Sequence, residues 1–437
     1  MTSFGSGRIT RRTLVAGTVA AAPLIAGRRS GRAALQSSKT QISWLTQSDW
    51  PLDKFLAGFQ AANPDIEVIP EQVGSDALTQ QIQVKLSAKS ATPGVISVDV
   101  PNTANYGYNG WLAPLDDVFN AAEKADWLSA ATTAGTYDGK LLAAPVNTST
   151  QLLYYNLDLW QKAGITPPGP DDRWTWEQIA DAAQKLTTKK GDKVDVWGFV
   201  WEQMIQVYQL GVLPASLGGK MIGDDGFTVK GVIDSKPWVD AFTFYSKAFN
   251  EWKFAPQGDV FWPPDIFETG KLASFVGGPW DIRRFAESKA VTFKWGVSRH
   301  PYFAAGVPAT PTGGFHIGVS AFSKQVDAAK KFAHYMATSA GDELWWRTGS
   351  GDMPALQSVL KKFETDPEFA GPPLSSLRTA AIEATVNPVP RAKTVFFPTY
   401  ASILSDAFQD IRNGADPADS LGTAADRIER EGAKFKR

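Results

Sequence analysis

The residues of this sequence best suited to chemistry are aromatic rings set beside carboxylates and amides. Gly277-Gly278-Pro279-Trp280-Asp281 closes a strand expected from Lys271 to Val276. Packing alone gives little reason for an indole in a loop that follows two glycines and a proline. An aromatic face can cover the apolar C–H side of a sugar ring, while carboxylates and amides take the hydroxyl rim. Trp280 is therefore a candidate stacking residue, and Asp281 is a candidate acceptor or a solvated loop acid. Trp201-Glu202 repeats the aromatic–acid pairing at the end of a strand expected over Trp197 to Trp201. Of the sixteen tryptophans, Trp160, Trp197, Trp238 and Trp295 are expected in the core.

Other chemistries are poorly served. There is no cysteine, which removes thiolate nucleophiles, disulfides and Cys-type metal sites. His300, His316 and His334 lie too far apart in sequence for a His-x-x-x-His pair. No Gly-x-Ser-x-Gly elbow, Walker loop or His-Glu-x-x-His occurs, so neither a metal nor a cofactor is expected. Six of the 44 basic residues are arginines within residues 1–33, which hold no acid, so the remainder is net acidic against 45 carboxylates. Such a body does not suit nucleic-acid phosphates.

Those first residues read as an address. Arg11-Arg12 precede an uncharged, alanine-rich run from Val15 to Gly27, too short to span a bilayer, and small residues follow. A twin-arginine-type signal peptide over 1–36 is expected. Without a cysteine after the apolar run, no lipid anchor is expected either, and the exported chain should be periplasmic and monomeric.

The elements that must position the candidates come next. Ile42–Thr46, Ile66–Ile69 and Val95–Val100 read as strands, separated by amphipathic helices over 51–62 and 78–88. Strand and helix in alternation predict a largely parallel sheet with ligand beyond the strands' carboxyl ends. Gln47, Asp49, Asp99, Asn102 and Tyr106 all fall at or after such ends, although Asp49 could equally be a helix N-cap. Asp138-Gly139 is a hairpin signal, and 141–155 reads as extended around Asn147-Thr148-Ser149-Thr150. Gly313-Gly314 precedes a strand from Phe315 and a helix over 326–338. Trp345-Trp346-Arg347 reads as packing between helices.

Four stretches in this order, 138–156 (DGKLLAAPVNTSTQLLYYN), 267–280 (FETGKLASFVGGPW), 313–336 (GGFHIGVSAFSKQVDAAKKFAHYM) and 404–428, resemble the extracellular solute-binding proteins of carbohydrate ABC importers, the family that includes maltose-binding protein. The resemblance implies an α/β, two-lobed periplasmic-binding-protein fold with discontinuous lobes and a hinge. Residues 39–147 with 314–357 would build the N-terminal lobe, and 148–313 with 358–437 the C-terminal lobe. Hinges would fall near Asn147, Gly313 and Pro354. It implies a carbohydrate, an oligosaccharide by preference, held between the lobes and passed to membrane permease subunits, with no catalysis. Trp280 matches the family's cleft tryptophan, and Trp201 with Glu202 correspond by order to a cleft aromatic–acid region. Asn147 and Ser149 occupy the crossing where the family has a polar contact, here without the carboxylate of maltose-binding protein. Gly314 would let backbone approach the ligand or permit the hinge. Arg391 and Tyr400 resemble the C-terminal stretch that lends an aromatic to the cleft. The alternatives are a glycerol phosphate or polyol receptor, and an exported carbohydrate-active enzyme with two carboxyls flanking the bond.

Overall fold

The computed structural model describes residues 39–258, 261–348 and 351–436; the expected signal peptide lies outside them. Two sheets organise the chain. The first uses β1 (Thr40–Gln47), β2 (Ile66–Val73), β3 (Val95–Asp99) and β4 (Ala143–Pro145). The second uses β5 (Leu152–Asn156), β6 (Val200–Trp201), β7 (Ser274–Gly277) and β8 (Trp295–Ser298). A short β9 (Thr310–Thr312) then leads into β10 (Phe315–Val319), and β11 (Pro388–Pro390) follows late in the chain. The five-stranded sheet has the order β2-β1-β3-β10-β4, the four-stranded sheet β6-β7-β5-β8, and β9 pairs with β11.

The parallel pairing of β1 with β2 and β3 follows from the helices between them. One of these, α1 (Asp53–Ala62), buries Phe55 and Phe59, and Phe59 meets Phe332 edge-on at 4.9 Å. Under the same sheet Trp44 is wholly buried and donates through Nε1 to Ser97 Oγ at 3.0 Å, so its one polar atom is satisfied. The hairpin signal is met: Thr136-Tyr137 pairs antiparallel with Lys140-Leu141, and Asp138 and Gly139 both have positive φ, 48° and 71°.

Around the second sheet, helix α2 (Lys236–Asn250) turns Trp238, Phe242, Tyr245 and Phe249 inward. Phe242 stacks on Phe408 of α3 (Phe397–Arg412) at 4.4 Å, joining the middle of the chain to its end. Arg173 and Glu383 join the same regions through a two-pronged ion pair at 2.7 and 2.8 Å. The strand expected over Trp197 to Trp201 is only Val200–Trp201. The backbone N–H groups of Gly198 and Phe199 go to the carbonyl of Phe254 instead, which draws that segment off the ladder.

Three segments meet at the boundary of the two sheets: 146–151, which leads from β4 in the first to β5 in the second, 313–314, which leads from β9 into β10, and 351–356. They run side by side. Thr148 and Met353 exchange backbone hydrogen bonds at 2.8 and 3.0 Å, and Ser149 N–H donates to Gly313 O at 3.2 Å.

Candidate binding site

The polar candidates gather where these segments meet the second sheet. Asn147 is buried; its Nδ2 donates to Asp352 Oδ2 at 2.8 Å, and its Oδ1 accepts from the Phe315 N–H at 2.6 Å. Gly314 sits directly beneath with φ +126°, where a Cβ would stand 2.4 Å from the Asn147 carbonyl oxygen. Only glycine tolerates that conformation and that approach. Gly314→Ala is expected to destabilise the chain by about 1–3 kcal/mol, read as a lowered urea midpoint; an unchanged midpoint would remove the constraint.

Ser149 Oγ and Tyr208 Oη share a hydrogen bond of 2.8 Å. The Arg391 guanidinium lies over the Tyr208 ring at 5.1 Å and grips Asp99 with both terminal nitrogens, Nη1 to Oδ2 at 2.7 Å. Asp99 and Arg391, 292 positions apart, thus close one end of the cluster. A cavity of about 280 Å³ adjoins it, lined by Pro101, Ala104, Thr148, His316, Arg391 and Lys393 among others. Val100, Pro101, Ala104, Ala130, Ala131 and Ala134 make much of its wall apolar.

At the other end stands Trp280, the half-buried first residue of a short helix, Trp280–Glu287. Its Nε1 donates to Glu202 Oε1 at 2.8 Å, while Glu202 Oε2 accepts from the Gly278 N–H at 3.0 Å. Asp281 is buried behind it, with Arg284 Nη1 3.9 Å from Oδ1. Burial lifts both carboxyls, Glu202 to about 8 and Asp281 well above the usual carboxylate range. The two N–H donors and Arg284 pull Glu202 back down, and Arg284 acts on Asp281 in the same sense. Asp352 also acts on Glu202 and on Tyr208 through its charge, which ties the two ends together.

Several expected contacts lie elsewhere. Trp201 is a core residue, 4.9 Å from Phe199, 5.2 Å from Tyr245 and 5.6 Å from Trp176. Tyr106 is buried in the first sheet's packing beside Trp111, and Tyr400 is buried with its hydroxyl on the Met221 carbonyl. A side chain closed off on all sides by its own packing has no face left for a solute. Asn102 is buried in the turn after β3, and Gln47 is buried at the end of β1, its carbonyl accepting from Gln72. Asp49 is exposed and caps nothing, because the first helix starts at Asp53 with Leu52 in the cap position. Of the four tryptophans expected in the core, Trp160 and Trp238 are fully buried, and Trp197 and Trp295 are partly buried against it.

Tyr208 and Asp352 join this cluster and were not among the expected residues. Tyr208 lies in a helix of only four residues, Val207–Leu210, too short for periodicity to reveal. Asp352 could have been suspected from the turn-forming Gly351-Asp352 that opens the last of the three segments. Among the described residues no three metal-binding side chains come together, and no helix is long and apolar enough to cross a membrane.

Two sheets joined by adjacent backbone segments, with a polar and aromatic cluster beside them, fit the class of solute-binding proteins. The sequence pattern of the bacterial extracellular solute-binding protein family matches residues 54–371, and the chain belongs to that family. It is a non-enzymatic component of an ABC transporter. Among solved structures it is similar to the ABC substrate-binding protein Lmo0181 from Listeria monocytogenes in complex with cycloalternan. That pair is 25% identical with a TM-score of 0.80, over 91% of this chain and 100% of the other. The GacH receptor of Streptomyces glaucescens GLA.O, solved unliganded and with acarbose, is 22% identical with a TM-score of 0.74, over 91% of this chain and 98% of its own. Among curated proteins, the sn-glycerol-3-phosphate-binding periplasmic protein UgpB of Escherichia coli (strain K12) is 31% identical over 143 residues, 31% of this chain. That match spans 32% of the UgpB chain.

Proposed function

We propose that this protein captures a carbohydrate, an oligosaccharide by preference, between two lobes and delivers it to the permease subunits of an ABC importer outside the cytoplasmic membrane. The lobes would be 39–147 with 314–357 and 148–313 with 358–437, turning about the three adjacent segments. The observation that carries this reading is the half-buried indole of Trp280, held through Nε1 by Glu202, in one cluster with the polar groups of Tyr208, Asp352, Asp99 and Arg391. An aromatic face flanked by acceptors matches the two surfaces of a sugar ring. The solutes named for Lmo0181 and GacH, cycloalternan and acarbose, support the same class.

A glycerol phosphate is the second reading, favoured by the partial likeness to UgpB. Phosphate recognition draws on free guanidinium or ammonium groups, and Arg391, the arginine of this cluster, is already engaged on both prongs by Asp99.

Thermal-shift and calorimetric titration with maltose, maltotriose, cycloalternan and sn-glycerol 3-phosphate separates the two, since a solute that binds only the native state raises its melting temperature. A saturable shift with an oligosaccharide supports the proposal, and a shift with the phosphate ester alone moves the protein to the second reading. Trp280→Ala should weaken sugar binding by about 1–3 kcal/mol through loss of the stacked ring. An unchanged Kd in a folded variant would withdraw Trp280 from the site.

A further inference from the structure

The Trp280 indole is fixed more tightly than a loop residue needs to be. A tryptophan has a single polar atom, the Nε1–H donor, and here it is spent on Glu202 Oε1. The second carboxylate oxygen takes the N–H of Gly278, two residues before the ring it holds. The carbonyl of Gly278 in turn accepts from the Tyr154 hydroxyl. The turn that carries Trp280 is therefore tied from both of its peptide groups.

Sterics complete the clamp. A Cβ on Gly278 would stand 2.2–2.3 Å from the ring atoms Cη2, Cζ2 and Cζ3, so the benzo half of the indole lies directly against that α-carbon. A Cβ on Gly277 would stand 2.3 Å from Glu202 Oε2, so the carboxylate fits only because that residue also lacks a side chain. Across from them, a Cβ on Gly351 would stand 3.1 Å from the Trp280 α-carbon. The Gly-Gly pair makes room for both the acid and the ring, and Glu202 itself is only 2% exposed.

From this geometry we infer that Glu202 is a positioning residue: it does not meet the solute but pins the indole of Trp280 through Nε1, so that the ring offers its open face at a fixed angle before anything binds. This rests on the reading that Trp280 faces the solute, and it names how that contact is made specific. A ring already held loses little rotamer freedom on binding, which is the general source of affinity by preorganisation. A direct sugar contact by Glu202 would instead act independently of Trp280.

Two measurements on the full exported chain test it. In the first, indole ¹⁵N–¹H spectra are recorded without ligand, and the Trp280 signal is identified by its loss in Trp280→Phe. In Glu202→Gln, whose amide can accept only one of the two N–H groups, that signal should move and its proton should exchange at least about tenfold faster. An unmoved, equally protected signal overturns the inference whatever the protein binds. In the second, maltotriose affinity is measured through a double-mutant cycle. Glu202→Gln should cost about tenfold with Trp280 present and less than about twofold in the Trp280→Phe background, because residues acting through one another are not additive. Equal losses in both backgrounds make Glu202 a direct contact and overturn the inference. If maltotriose fails to bind any variant, the sugar reading falls, and the indole signal alone decides whether the ring is pinned.

Discussion

Arg173→Ala should remove about 3–5 kcal/mol of folding stability, the largest effect expected from any single substitution considered for this protein. Glu383 is fully buried, and Arg173 is nine-tenths so. The guanidinium engages both carboxylate oxygens and also donates to the His300 carbonyl at 2.6 Å. Thr310 Oγ1 adds a further hydrogen bond to Glu383 Oε1. Removing the arginine leaves a buried carboxylate with one hydroxyl for company, and desolvation of that charge is then uncompensated. The double replacement Arg173→Met with Glu383→Met should lose markedly less than Arg173→Ala, because no charge is stranded. Urea unfolding measures both. A loss under about 1 kcal/mol in Arg173→Ala, as found for exposed pairs, would show that the pair is solvated in solution.

The second large effect concerns pH. His300 and His316 are buried, and burial pushes each down to about 3, with the neighbouring Arg173 adding to the effect at His300. Unfolded, each would titrate near 6.5. Between about pH 6.5 and 3 the unfolded chain therefore binds protons that the folded chain refuses, so these two groups withdraw stability as pH falls through that window. The size is about 1.4 kcal/mol per unit per histidine, or about 4 kcal/mol for the two at pH 5. Glu202, Asp281 and Asp342, all raised by burial, act in the opposite sense as pH falls. The comparison that isolates the histidines is between variants: His300→Gln with His316→Gln, relative to the parent chain, should gain about 4 kcal/mol between pH 7.5 and pH 5. A difference that does not change with pH would mean that these imidazoles are protonated in the folded protein.

Much of this architecture is legible in the residues. Helices between β1, β2 and β3 left parallel pairing as the economical solution, and Asp138-Gly139 specified a hairpin because two consecutive residues had to adopt positive φ. Trp280 stood out because a large ring after Gly-Gly-Pro has no periodic pattern to explain it. Trp201 and Tyr400 were expected at a cleft only from their order in the resemblance, whereas their neighbours in space, Trp176, Tyr245 and Met221, are core. Pairings such as Asn147 with Asp352, 205 positions apart, or Asp99 with Arg391, depend on how distant segments align. No local spacing encodes that.

The strand order carries a consequence for how the chain is made. β10, at residues 315–319, lies between β3 and β4, which are complete by residue 145. A ribosome that has passed β4 has therefore released a sheet with its middle missing, and the vacancy stays open until residue 319 of 437. The other half waits longer still, since Phe408 and Glu383 finish its packing against Phe242 and Arg173. Closing such distant ends is slow compared with local contacts. For most of its synthesis the chain is an unfinished one, with hydrophobic strand edges that only its last third can cover.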